Sequence, residues 1–244
     1  NYIQNPAFML STLLAGMKNE NGKVTIPNYY GDAPLSEETK QVLRDIPIDE
    51  TALLARLGVA KSESVGGNYY ESISLPSLNI NGLSAASTTA VRTIIPASAT
   101  ASIDIRTTKE AHSSRQVRLL KDYITAKGYH IVDELPSKET RLKHEKLILI
   151  EVSPGTAALQ TSLDEPVGLW AQKALESVSD EKVVVIPMMG GTVPTAPLVN
   201  SIEKPVILIP LVNADNNQHA PNENLRIGNF YSGTNALYQL LTTP

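Results

Sequence analysis

Two polar loops and one strand end carry the residue types that could do chemistry in this chain. The stretch Met189-Gly190-Gly191-Thr192-Val193-Pro194 follows the apolar run VVVIPM, and Asn213-Ala214-Asp215-Asn216-Asn217-Gln218-His219-Ala220-Pro221-Asn222-Glu223 follows the apolar run VILIPLV. Paired glycines let backbone N–H groups approach a ligand, and Thr192 adds a hydroxyl. The second loop gathers polar side chains around His219, whose neutral imidazole is a good metal ligand. Arg106 closes an alternating segment on its polar face. Each feature also has a plain reading. Gly190-Gly191 makes a tight turn, a lone loop histidine cannot supply the three or four ligands of a metal site, and Arg106 is an ordinary surface arginine. Neither a dinucleotide nor a P-loop glycine pattern is present. His112, His130 and His144 read as solvent-facing, Trp170 as core, and the Tyr29-Tyr30 and Tyr69-Tyr70 pairs as loop anchors.

The elements that must position these residues follow from periodicity. Asn5-Pro6 reads as a cap followed by proline at the first helical position, with Leu10, Leu14 and Met17 at helical spacing. Residues 18–67 are irregular, with short capped helices in SEETKQVLRD and DETALLARLGV. The spacing predicts strands at 77–83, 92–95 and 99–106, an amphipathic helix through Val117, Leu120 and Ile124 closed by Lys127-Gly128, and a further strand at 146–152. In 99–106 one face is Ala101, Ile103 and Ile105, and the other Thr100, Ser102, Asp104 and Arg106. Half-wet strands with helices suggest an antiparallel sheet covered on one side.

The pattern changes after about residue 163. A helix opens at Glu165-Pro166, and a last one runs over about 227–241. The runs at 183–188 and 206–212 read as parallel strands buried on both faces, needing neighbours to cover them.

Composition excludes other classes. The 244 residues include no cysteine, so disulfides, thiolate metal sites and cysteine nucleophiles are ruled out. A formal net charge of −4 without a basic block argues against nucleic acid and anionic membrane as partners. No apolar run approaches the roughly 20 residues that cross a bilayer. Residue 1 is Asn, and the opening NYIQNPAFML has neither the basic start nor the sustained apolar core of a secretory signal, so the chain is expected to start inside something larger or to have been processed; the compartment is left open, with cytoplasm favoured.

At this point the motifs resemble a known family. HAPNENLRIGNFYSGTNALYQLL, MMGGTVP, RTIIPASATASIDIRTT and NPAFMLSTLLAGMKNENGKVTIPNYYGD are similar to segments of the co-catalytic metallopeptidases that include carnosinase-type dipeptidases, carboxypeptidase G, aminoacylase and acetylornithine deacetylase, closest to the dipeptidase-like branch. The resemblance covers nearly the whole chain in order. It implies an α/β and α+β fold: a ferredoxin-like lid and dimerisation domain over 1–163, with an insertion at about 18–76, then the C-terminal part of a parallel-sheet zinc-peptidase catalytic domain over 164–244. It also implies His219 as a metal ligand, Arg106 as the arginine meeting the substrate carboxylate, Thr93 as a lid hydroxyl near the substrate, and Gly190, Gly191 and Thr192 as a substrate-contacting loop.

The implied reaction is hydrolysis of a peptide or N-acyl amide bond by metal-activated water. Its cofactor is two zinc ions, with manganese or cobalt as alternatives. Its partners are a small peptide or N-acyl amino acid and a second copy joined through the lid. The other ligands and the general base are expected before Asn1, so these residues alone are expected to be inactive. Met188 stands where dipeptidase relatives often carry Arg, and no His occurs at 153–156. A non-catalytic dimerisation module and a small-ligand-binding α/β protein are the alternatives.

Overall fold

The computed structural model describes residues 1–31, 35–179, 182–191 and 196–244. Its elements run α1 Pro6–Ala15, α2 Glu37–Asp45, α3 Glu50–Leu57, α4 Tyr69–Ile73, β1 Ser77–Ser84, β2 Thr100–Arg106, α5 Ser113–Ala126, β3 His130–Val132, α6 Lys138–Lys143, β4 Leu147–Leu149, α7 Pro166–Glu176, α8 Ala196–Ile202 and α9 Ile227–Thr242. Two compact units result, one of Asn1–Leu159 with Gly190 and Gly191, the other of the described residues in 160–189 and 196–244.

Local chemistry sets the helix ends in the first unit. Asn5 Oδ1 accepts from Ala7 N at 2.9 Å ahead of Pro6. Ser36 and Asp49 cap α2 and α3 in the same way, and Gly58, at φ +69°, ends α3 in the left-handed region that glycine enters without penalty. α5 turns Leu120, Tyr123 and Ile124 inward, into one core with Leu13 and Leu14 of α1, Met17 just beyond it and Leu78 of β1. Val24, Ile26 and Tyr29 complete this core. The irregular segment after α1 therefore does more than decorate the fold, since these three side chains are 1–5% exposed.

β1 and β2 pair antiparallel from Ser77↔Arg106 to Ser84↔Thr100, with a bulge between Ile80 and Gly82. The burial of β2 follows the expected alternation up to Ile103, and Ile105 packs on the core while Arg106 is exposed. The strand expected at 92–95 is absent. These residues are exposed and form a bend with Ile94 N donating to Arg92 O at 2.9 Å, a local bond that takes the place of a ladder partner. β3 and β4 pair parallel, His130↔Leu147 to Val132↔Leu149. The first unit thus combines an antiparallel pair with helices and a separate parallel pair.

In the second unit, Ala171 and Ala174 of α7 pack with Leu240 of α9, flanked by Trp170, Leu175, Ile207 and Ile209. Trp170 Nε1 donates to Thr243 O at 3.1 Å. The runs at 183–188 and 206–212 are not strands here: no ladder bond joins them to a neighbour among the described residues. Neither is buried on both faces. Val184, Val185, Ile186 and Leu208 are 42–50% exposed. Ile207 and Ile209 reach the core two residues apart, the period of extended backbone. The Thr161 hydroxyl bonds both the carbonyl and the N–H of Val206, doing for one residue what a neighbouring strand would do for all.

Candidate functional site

Arg106 is placed by the last residue pair of the β1–β2 ladder. Ser77, its partner, is anchored in turn by Tyr29, whose hydroxyl donates to the Ser77 carbonyl at 3.0 Å. Asp104 and Arg106 are two apart on one strand and so share a face. Arg106 Nε donates to Asp104 Oδ2 at 2.7 Å, with the arginine side chain 58% and the aspartate 32% exposed. The charge of Asp104 reaches inward too. Burial first, then Tyr30 and Asp104, push the Tyr29 phenol far above its ordinary range, so it stays a neutral donor.

Thr93 lies in the connection between β1 and β2 and is exposed. That connection leaves the end of the hairpin opposite Arg106, and β2 separates the two anchoring points by about 20 Å at the rise of a strand. Gly190, at φ +72°, groups with the first unit, and a Cβ there would stand 3.3 Å from Ile73 side-chain carbons. A glycine is favoured on both counts. Gly191 is an exposed bend, and Thr192 lies outside the described residues.

His219 belongs to the second unit, on an exposed turn at φ +62°, between Asn217 at +60° and Asn222 at +64°. Left-handed backbone at three non-glycine residues in so short a span is uncommon and must be held by its surroundings. Buried asparagines do this. Asn213 donates to Asp215 Oδ1 at 2.9 Å and Asn224 Oδ1 at 3.1 Å and accepts from Arg226 N at 3.0 Å. Asn216 is also buried and accepts from Gln218 N at 3.2 Å. Asp215 pairs with Arg226.

The other histidines differ from expectation in one respect. His130 and His144 are stacked, ring centroids 3.7 Å apart, and His144 is half-buried, because β3 and the turn after α6 converge. Tyr29 and Tyr30 do anchor their loop, Tyr30 Oη accepting from Val24 N at 2.8 Å.

A model of the M20 peptidase dimerisation domain matches residues 1–132, more than half of the chain. The chain belongs to the M20 metallopeptidase family. Among relatives of this M20 chain, the Cys-Gly metallodipeptidase DUG1 of Saccharomyces cerevisiae is 26% identical over 240 residues, covering 95% of this chain and 47% of that protein. The Beta-Ala-His dipeptidase of Homo sapiens is 24% identical over 240 residues, covering 95% and 44%. The M20 family metallo-carboxypeptidase Sso-CP2 from Sulfolobus solfataricus shares the fold at a TM-score of 0.74 and 22% identity, covering 99% of this chain and 53% of that one. The di-peptidase Dug1p structure from Saccharomyces cerevisiae follows at 0.67 and 23%, covering 99% and 49%. The chain spans about half the length of the curated relatives it matches.

The residues described here do not by themselves fit a metal ion. No group of three or more His, Asp or Glu side chains that could hold one occurs among the described residues of the M20 chain. His219 offers one imidazole, and of the two carboxylates four residues from it along the loop, Asp215 and Glu223, Asp215 is paired with Arg226. No helix among the described residues is long and apolar enough to cross a membrane. Sequence reasoning singles out Arg106 and His219 and places Asp104 on the strand face it shares with Arg106 without giving it a role. It passes over Asn213 and Asn216 as the frame of the His219 loop.

Proposed function

We propose that this chain forms the lid and the closing part of the catalytic domain of a metal-dependent peptidase or amidohydrolase, acting on a dipeptide-like or N-acyl amino acid substrate. The observation that carries the proposal is the alignment with metallodipeptidases over 95% of the chain, through both compact units. Arg106 is the proposed grip for the substrate carboxylate. It stands exposed at a strand end, oriented by Asp104, where a guanidinium can make two charge-assisted hydrogen bonds. Thr93, Thr192 and the backbone N–H groups of Gly190 and Gly191 are proposed as further substrate contacts. Two divalent ions, zinc first and manganese or cobalt as alternatives, belong to the proposed enzyme, and His219 is the one ligand proposed from these residues. The domain division proposed is lid over 1–163 and catalytic part over 164–244.

The test is hydrolysis of Cys-Gly, β-Ala-His and N-acetyl amino acids by a protein of the relatives' length containing these residues. Hydrolysis abolished by chelator and restored by zinc or manganese supports the reading. Absence of hydrolysis on all three substrate types with metal supplied overturns it.

A second reading, a dimerisation module without catalysis of its own, is favoured by the family model over 1–132. Light scattering on the purified chain tests it: a dimer is expected, and a monomer at micromolar concentration contradicts it.

A further inference from the structure

Arg106 has a problem that its proposed role must solve: an exposed arginine at a strand end samples many rotamers, and ordering it for a carboxylate costs entropy. The structure contains a solution. Asp104 lies on the same face of β2, and its Oδ2 accepts from Arg106 Nε at 2.7 Å. Asp104 is the better buried of the two, with a side chain 32% exposed against 58% for Arg106, so the carboxylate is the fixed partner and the guanidinium the group being held. The anchor continues inward. The register places Asn79 opposite Asp104 and Ser77 opposite Arg106, and the Ser77 carbonyl is gripped by the buried Tyr29.

We propose that Asp104 is a positioning residue that clamps Arg106 through Nε and sets the guanidinium in the attitude that receives the substrate carboxylate. This rests on the carboxylate-grip reading of Arg106 and adds the residue that makes the grip specific. The nitrogen chosen is informative. A carboxylate gripped end-on bonds the two terminal nitrogens, whereas Asp104 bonds Nε, so the clamp and the grip do not compete for one nitrogen. Asp104 also carries a negative charge beside an anion-binding group. If charge were its only effect, removing it would tighten anion binding, whereas loss of a clamp weakens it. The two accounts differ in sign.

The experiment is NMR of the arginine side-chain Nε–H signals in the intact 244-residue chain, with the Arg106 signal assigned by its absence in Arg106→Lys. In the wild type this signal is expected apart from those of exposed arginines and slow to exchange with water. In Asp104→Ala, exchange is expected to quicken about tenfold as the charge-assisted bond is lost, while Asp104→Asn, which keeps an acceptor oxygen, retains most of the protection. An Arg106 signal that exchanges like solvent arginines in the wild type, or one unmoved in Asp104→Ala, overturns the proposal.

The same samples are titrated with N-acetylglycine. Asp104→Ala is expected to weaken binding about fivefold, with Asp104→Asn within about twofold of wild type. Tighter binding in Asp104→Ala overturns the clamp in favour of a pure charge effect. A wild-type Arg106 signal that is protected but does not respond to N-acetylglycine counts against the carboxylate-grip reading, and leaves the Asp104 clamp decided by the exchange data. Unchanged amide spectra across the variants separate these results from unfolding.

Discussion

The Tyr29 hydroxyl donates to the Ser77 carbonyl at 3.0 Å, and Ser77 is the residue that pairs with Arg106 across β1 and β2. A tyrosine from the segment after α1 thus fastens the strand end on which the proposed carboxylate grip is built. Tyr29→Phe keeps the buried ring and removes the bond, leaving the Ser77 carbonyl without this donor. The expected cost is about 1–2 kcal/mol. Thermal unfolding followed by circular dichroism checks it, with the midpoint falling by about 2–4 °C per kcal/mol for a domain of this size.

The same phenol predicts a pH dependence. Burial holds Tyr29 protonated in the folded state well beyond the ordinary phenol range, and burial is also the largest cause of the upward shifts of Tyr30, Tyr70, Tyr123 and Tyr129. The folded state therefore keeps protons that the unfolded chain releases above about pH 10. Stability from these groups is complete below that pH and falls as pH rises above it. Absorbance at a phenolate wavelength should show part of the tyrosine ionising only together with unfolding, and Tyr29→Phe should make the alkaline loss of stability less steep.

Two leucines of β1 separate core from surface. Leu78 is 2% exposed within the main core, while Leu83 is 58% exposed on the same strand. Leu78→Ala should destabilise by about 2–5 kcal/mol through lost burial and a cavity. Leu83→Ala should stay within about 0.5 kcal/mol. Urea titration of both variants checks the contrast.

Two glycines with left-handed backbone make a matched pair. Gly58 has φ +69° and open space where a Cβ would stand, and Gly190 has φ +72° with Ile73 carbons at 3.3 Å. Gly58→Ala should cost about 1 kcal/mol, the conformational term alone. Gly190→Ala should cost more, because Ile73 must also yield. Ile73→Ala in the Gly190→Ala background should recover the steric part but not the conformational one, and a double-mutant cycle by thermal unfolding measures it.

Metal content tests the role given to His219. One imidazole on an exposed turn cannot retain an ion through dialysis, since stable sites need three or four ligands. Elemental mass spectrometry on the dialysed chain should find no stoichiometric zinc, manganese or cobalt. About two retained ions would mean a ligand set other than the one proposed. His219→Asn should leave the fold intact, because asparagine tolerates left-handed backbone.

Helix boundaries were legible wherever a cap and a period coincided. Asn5-Pro6, Ser36, Asp49 and Gly58 each act through one or two residues of local chemistry, and α1, α2, α3, α5, α7 and α9 follow the reading closely. Strands were legible only where the apolar segment has a ladder partner. β1 and β2 pair with each other, whereas 183–188 and 206–212 have strand composition without a hydrogen-bonded neighbour among the described residues. Composition reports what a segment could pair with, and pairing decides what it is. Val24, Ile26 and Tyr29 were read as part of an insertion because turn residues surround them, and only packing reveals them as core. Of the site, Arg106 was visible as a charge ending an alternating strand. Asp104 was not singled out, since its effect depends on which of two charged neighbours is the more buried.

The most direct test of the account is steady-state hydrolysis of a dipeptide by a protein of the relatives' length containing these residues, comparing wild type with Arg106→Ala and Arg106→Lys. Loss of a two-point, charge-assisted grip predicts a fall in kcat/KM of about a hundredfold or more for Arg106→Ala, and Arg106→Lys should restore only part of it because a point charge lacks the planar fork. A kcat/KM unchanged in Arg106→Ala would contradict the account at its centre.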